Sequence, residues 1–377
     1  MSGFSRIFSS TVFTWLAVWS VVVASDRRDM PLRTLAADRF LIGAAINVPQ
    51  AEGRDAVAMN LISRHFNTVT PENILKWEKV HPEPERYDFG PVDRLLEVTE
   101  SQGILLIGHT LVWHQQTPRW VFKSASGEPM DRDALLERLR AHITAVVGRY
   151  KGRIGGWDVV NEAFEDDGTV RKTPWSQIIG EDFIAKAFEF AHQADPDAEL
   201  YYNDYNLWKP AKRDAAARLV RQLLDRGVPV DGIGEQGHWL INDPPLDLIE
   251  AAIVPFGKLG VKVVITELDV DPLPRPRELM GADLSKRPEL RQSLDPYREG
   301  LPDAVQQELA QRYGDIFRLF VKHADKIARV TFWAVTDANT WLNNFPFRGR
   351  TNHPMLWDRE GKPKPAFDAV IKALSGK

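Results

Sequence analysis

The sequence predicts a single-domain α/β protein folded as a (β/α)8 TIM barrel, and three observations predict it. The chain has 377 residues, a length that suits one large barrel. Eight apolar, strand-like runs alternate with stretches of helical period. The one GxGxxG match, GIGEQG from Gly232, lies within the sixth run itself, and neither such a turn nor a phosphate-binding P-loop follows any run, which weighs against an open doubly wound sheet.

Residues 26–38 are polar and helix-prone and read as a lead-in to the first strand. The strand runs are FLIGAAI from Phe40, FNTVT from Phe66, ILLIGHT from Ile104 and IGGWDVV from Ile154. They continue with ELYYND from Glu199, GIGEQGH from Gly232, VKVVITE from Val261 and VTFWAV from Val330. Between the third and fourth, Leu135, Leu139, Ile143, Val146, Val147 and Tyr150 recur every three or four residues, the apolar face of one helix. A second helical stretch closes on Gly227, a helix stop, and a third spans Pro302 to Asp325. Strands alternating with helices argue a parallel sheet, and closure removes its edges. The segment from Asp271 to Pro302 is rich in proline and charge and long for a barrel loop. It reads either as a cover for a substrate cleft or as a solvated insertion.

A formal net charge of -4 leaves no basic field for nucleic acid, so neutral or weakly polar substrates fit best. The absence of cysteine excludes disulfides, thiolate nucleophiles and Cys-ligated zinc. Arg6 is the one charged residue before Asp26, and TVFTWLAVWSVVVAS from Thr11 to Ser25 is a short apolar run with Val22 and Ala24 placed for a signal peptidase. This predicts a signal peptide over 1–24, a barrel over 25–377 and secretion to the periplasm or the exterior, with no membrane contact in the mature form. An uncleaved N-terminal anchor is the alternative, although the run is short for a full span.

In WDVVNEAF and VVITELDV an apolar strand runs directly into a glutamate, so Glu162 ends the fourth strand and Glu267 the seventh. Active sites of such barrels lie at the strand C-termini. A charge at the end of a buried strand is costly unless paired or used. Either glutamate alone reads as a helix cap or an arginine partner, but two carboxyls facing across one mouth are the minimum apparatus for glycoside cleavage. Asn161 can bond a sugar hydroxyl beside Glu162, and His238 can orient Glu267 with Asp269 as its further partner. In TPENILKWE, Glu72, Asn73 and Lys76 place donors and acceptors beyond the second strand. The same stretch also reads as a helix start, with Thr70 as N-cap and Pro71 as first residue. The third strand runs into GHTLVWHQQTPRW, with His109, Trp113, His114 and Gln116, and this is not a zinc-binding HExxH pattern. NDYN from Asn203 to Asn206 ends the fifth strand and FWAVTDANTW the eighth. Trp77, Trp113, Trp239, Trp333 and Trp341 neighbour strand ends, where indoles offer flat faces to sugar rings, whereas Trp157 and Trp208 suit a core.

In this order, TPENILKWE, GHTLVWHQQTP, WDVVNEAF, YNDYN, GEQGH, VVITELDV, TFWAVTDANTWL and FPFRGRTNHPMLWD resemble the xylanases of glycoside hydrolase family 10, from about Phe40 to the C-terminus. The resemblance implies a barrel that hydrolyses internal β-1,4 bonds of xylan and xylo-oligosaccharides with retention. It assigns Glu162 as acid/base, Glu267 as nucleophile, and His238 with Asp269 as nucleophile support. It carries substrate-binding roles to Glu72, Asn73, Lys76, His109, Trp113, Gln116, Asn161, Tyr205, Gln236, His238, Trp333 and Trp341. It also puts Glu72, Asn73 and Lys76 on the non-reducing side of the cut and the two late tryptophans around the sugar next to it. No metal, no cofactor and a monomer are expected. A β-1,4-glucanase with the same carboxylates and a non-catalytic glycan-binding barrel are the alternatives. A cofactor-dependent α/β enzyme would need a nucleotide motif after a strand, and no run is followed by one.

Overall fold

A computed structural model describes residues 29–276, 279 and 288–376. The segment 1–24 expected to be a signal peptide lies outside these residues, as does part of the segment after Asp271. The strands are β1 (Leu41–Ile46), β2 (Thr68–Pro71), β3 (Leu105–Val112), β4 (Ile154–Asn161), β5 (Glu199–Asp204), β6 (Gly232–Glu235), β7 (His238–Leu240), β8 (Lys262–Asp271) and β9 (Ile327–Phe332). Each of the eight runs in the sequence overlaps one of them, and β7 is additional. Strands β1 to β6 pair in sequence order, β6 pairs with β8, β8 with β9, and β9 with β1. Every pairing is parallel, so the sheet closes into a barrel with helices in the connections.

Parallel strands covered on both faces lack the alternation of half-exposed ones. Accordingly, every residue of β8 after Lys262 is buried. The helix Arg132–Arg149 buries Leu135, Leu139, Ile143, Val146 and Val147, the face expected from the sequence, and Asp131 caps it by accepting the Ala134 amide at 2.8 Å. The helices Pro210–Asp225 and Asp303–Lys322 fill the other two predicted positions. Trp157 is buried where β4 pairs with β3. Gly108 allows this, because a Cβ there would lie 2.1 Å from the Trp157 ring.

Four expectations change. TPEN does not start a helix: Thr70 and Pro71 belong to β2, and the following helix is the single turn Trp77–Val80. Glu267 does not end its strand, because β7 pairs with the outer part of β8 (His238 with Asp269, Leu240 with Asp271) and prolongs it. His238 stands in β7, after Gly237 (φ 82°) turns the chain out of β6. Trp77 and Trp239 are core residues, each 2% exposed, with Trp77 stacked on His142 and Trp239 against Phe320.

Candidate active site

β4 ends at Asn161, and Glu162 follows in the left-handed region at φ 57°. This conformation costs a residue with a Cβ about 1–2 kcal/mol, so the surroundings must hold it. The Glu162 amide donates to the Asn203 carbonyl at 2.9 Å, which keeps β4 and β5 in step to the rim. Its carboxyl is buried and accepts from Trp113 Nε1 and Gln236 Nε2, both at 2.9 Å. Glu267 approaches from β8, its amide donating to the Gln236 carbonyl at 2.7 Å. Its carboxylate accepts from Asn203 Nδ2 at 2.8 Å and meets His238 Nε2 at 3.1 Å. His238 Nδ1 meets Asp269 at 2.9 Å, and Trp341 Nε1 donates to the same Asp269 oxygen at 2.7 Å.

These contacts drive the two carboxyls apart in acidity. Burial raises Glu162, with the charge of Glu267 adding to it against the donors Gln236 and Trp113. Burial alone would raise Glu267 as well, but the His238 hydrogen bond, His109 and Asn203 outweigh it and hold Glu267 below the usual carboxylate range. Burial would also lower His238. Asp269 and Glu267 instead push it up to about 10, so near neutral pH it is an imidazolium donating to both.

The two carboxyls open into a cavity of about 320 Å³. Thirteen of the fifteen candidate residues line it: Glu72, Asn73, Lys76, His109, Trp113, Gln116, Asn161, Glu162, Gln236, His238, Glu267, Trp333 and Trp341. Asp269 stands behind His238, and Tyr205 is off the lining, its hydroxyl accepting from Arg171 at 2.8 Å. On one wall Asn73 Oδ1 accepts from Lys76 at 3.3 Å and Gln116 at 3.2 Å, and the Lys76 ammonium lies 4.6 Å from the Trp113 ring centroid. Burial raises Glu72 and lowers Lys76. On the other wall Trp341 stacks on Phe345 at 4.7 Å, and Trp333 stands edge-on to His109. No described residue of the segment following Asp271 is on the lining, which instead takes Asn339, Thr340, Asn344 and Phe345 from the loop after β9.

Two positioning contacts escaped the sequence reading. Asn203 bonds Glu267 and also Asn161 Oδ1, both at 2.8 Å, while Thr266 donates to Asn203 Oδ1 at 2.6 Å. Asp158 meets His109 Nδ1 at 2.9 Å from inside β4. A charge within the apolar run WDVV was the available signal for Asp158. Asn203 was marked only as the first residue of NDYN at a strand end, since its role depends on which strand lies beside it.

A buried acid and a buried anion facing one cleft can protonate a leaving group and offer a nucleophile or base to the same bond. Among the described residues no group of three or more His, Asp or Glu side chains could hold a metal ion. The model of the family described as glycosyl hydrolase family 10 matches residues 31–373. A protein named endo-1,4-beta-xylanase A from Xylanibacter ruminicola is 43% identical over 358 residues, covering 95% of this chain and 97% of the relative. One named endo-1,4-beta-xylanase B from Paenibacillus barcinonensis is 45% identical over 340 residues, covering 89% and 96%. A solved structure, described as a GH10 endoxylanase retrieved from a sugarcane soil metagenome, superposes with a TM-score of 0.88 at 44% identity and covers 90% of this chain and 99% of its own.

Proposed function

The chain belongs to glycosyl hydrolase family 10, and from that membership we propose that it is a secreted endo-1,4-β-xylanase acting by retaining double displacement. The observation that carries the mechanism is the opposed environment of the two carboxyls, with Glu162 raised by burial and Glu267 held down by the His238 imidazolium.

Glu162 gives its proton to the glycosidic oxygen as the bond from that oxygen to C1 breaks. A Glu267 oxygen attacks C1 from the opposite face and forms a xylosyl ester. The ester removes the negative charge of Glu267, so Glu162, now ionised, is the available base. It takes a proton from water, the water oxygen bonds C1, the ester bond breaks, and Glu267 leaves as the carboxylate. Both groups return to their starting protonation. Retaining enzymes hold their carboxyls about 5–5.5 Å apart and inverting enzymes about 6.5–9.5 Å apart. The close coupling supports the shorter class: Asn203 binds Glu267 and Asn161, and Asn161 Nδ2 reaches Glu162 at 3.3 Å.

The names of the relatives support xylan and xylo-oligosaccharides as substrates. Xylose lacks the C6 hydroxymethyl group of glucose, and Trp341 is braced at the cavity wall by Asp269 and Phe345. The apolar run from Thr11 to Ser25 supports export. Among the described residues exposed large apolar side chains are few, which supports a monomer.

Reducing-sugar release from glucuronoxylan and from carboxymethylcellulose, for wild type and Glu267→Ala, tests the activity. Release from xylan by the wild type alone is expected, and release from cellulose alone would overturn the substrate. Proton NMR of the first product checks the stereochemistry: the β-anomer is expected, and the α-anomer would replace retention by inversion.

A further inference from the structure

The left-handed turn at Glu162 is gripped on both sides by side chains outside the cavity lining. On the carbonyl side, Arg171 Nε donates to the Glu162 carbonyl at 3.1 Å, and its Nη2 donates to the Phe164 carbonyl at 3.0 Å and the Tyr205 hydroxyl at 2.8 Å. Its Nη1 pairs with Glu165 at 3.1 Å, and its amide donates to the Ala163 carbonyl at 2.7 Å. On the amide side, Ala163 N donates to the Tyr202 hydroxyl at 3.2 Å and Phe164 N to Asp204 Oδ2 at 3.4 Å. Tyr202 donates to that same oxygen at 2.6 Å, and Asp204 Oδ1 lies 2.7 Å from Lys212 Nζ. Both members of this ion pair are 0% exposed.

A fully buried ion pair is a poor way to gain stability, because desolvation offsets the attraction and apolar side chains of the same volume serve as well. What this pair does supply is a fixed anchor, on β5 and the helix Pro210–Asp225, for the amides immediately after Glu162. Arg171 uses its planar fork on two carbonyls of the same short stretch, a geometry that lysine cannot reproduce. We propose that Arg171 and the Asp204–Lys212 pair are positioning residues for the acid/base, holding the Glu162 turn from its carbonyl and amide sides so that the carboxyl stays aimed at the glycosidic oxygen. The inference rests on Glu162 being that acid/base.

The experiment compares kcat/KM on xylohexaose, whose leaving group needs a proton, with kcat/KM on dinitrophenyl β-xylobioside, whose leaving group does not. Wild type, Glu162→Ala, Arg171→Met, Arg171→Lys and the double variant Asp204→Asn/Lys212→Met are measured. The double change removes both charges and leaves no lone buried ion, so it stays informative if Arg171→Met fails to fold. Misplacing a reacting group by about 1 Å costs up to about 100-fold, so Arg171→Met and the double variant are expected to lose about 10- to 100-fold on xylohexaose and less than about 3-fold on the activated substrate. Arg171→Lys is expected to follow Arg171→Met, and full rescue by lysine would overturn positioning in favour of charge alone. Equal losses on both substrates, or no loss on either, would also overturn it. If Glu162→Ala shows no split between substrates, the assignment of Glu162 falls. If Glu162→Ala splits and the other variants do not, that assignment stands and this inference falls.

Discussion

At the scale of single residues, the site works by giving two like groups unlike surroundings. In the proposed mechanism Glu267 is ionised and Glu162 protonated for the first step. Activity is therefore lost as pH falls through the depressed pKa of Glu267, and lost again as pH rises through the elevated pKa of Glu162. A bell-shaped profile of kcat/KM follows, and His238 sets its acid side. His238→Gln removes the imidazolium and should move the acidic limb upward, toward the ordinary glutamate value of about 4.3. A profile of kcat/KM against pH on xylohexaose checks this, and an unmoved limb would rule His238 out as the group that keeps Glu267 ionised. That these side chains meet was largely legible in the sequence, because Glu162, Glu267, His238 and Asp269 are polar residues at or just beyond apolar runs. The tryptophans were less legible. Trp341 faces the cavity while Trp77 and Trp239 lie in the core, and their local sequences do not distinguish the two fates, since which face of a loop is covered depends on distant packing.

At the scale of elements, neighbouring strands deliver the supporting groups. Gly234 of β6 stands opposite Asn203 of β5 and Val264 of β8 in the parallel register. A Cβ there would lie 2.5 Å from Asn203 Oδ1 and 2.8 Å from Thr266 Cγ2. Gly234→Ala should therefore cost about 1–3 kcal/mol by overpacking. It should also displace the Asn203 carboxamide from Glu267, with a fall in kcat of about 10-fold or more. Denaturant unfolding and xylan hydrolysis measure the two effects. Lost stability with wild-type kcat would show that the Asn203–Glu267 bond is dispensable. The strand positions were readable from the runs themselves, but the short β7 was not: HWL carries no strand signal of its own and is a strand because the outer end of β8 lies beside it. TPEN likewise looks like a helix start, yet pairing with β1 keeps Thr70 and Pro71 in β2.

For the whole molecule, buried histidines should set the stability toward acid. Burial lowers His65 to about 4, with Arg64 and Arg33 adding to it, and burial beside His81 drives His142 well below the ordinary value. Below pH 6.5 the unfolded chain binds protons that the folded chain refuses, so stability falls with pH by about 1.4 kcal/mol per unit for each such histidine. For His65 this loss runs from pH 6.5 to about 4. His238 acts in the opposite sense: its contribution is complete below pH 6.5 and is lost as pH rises through about 10. Guanidinium unfolding between pH 7 and pH 5 should show the acid-side decline, and His142→Gln should flatten it. An unchanged slope in that variant would remove His142 as a source. What the sequence determined by itself was eight of the nine strands and their order, the closed parallel barrel and the positions of the two glutamates, because strand burial and polar residues at apolar runs are written locally. Only the tertiary structure decided that Glu162 sits in a left-handed turn, that Asn203 reaches both Asn161 and Glu267, and that Asn203 and His109 join His238 in holding Glu267 down. Each of these depends on groups tens of residues apart meeting at one rim, where burial and hydrogen bonding, not residue type, set a carboxyl's charge.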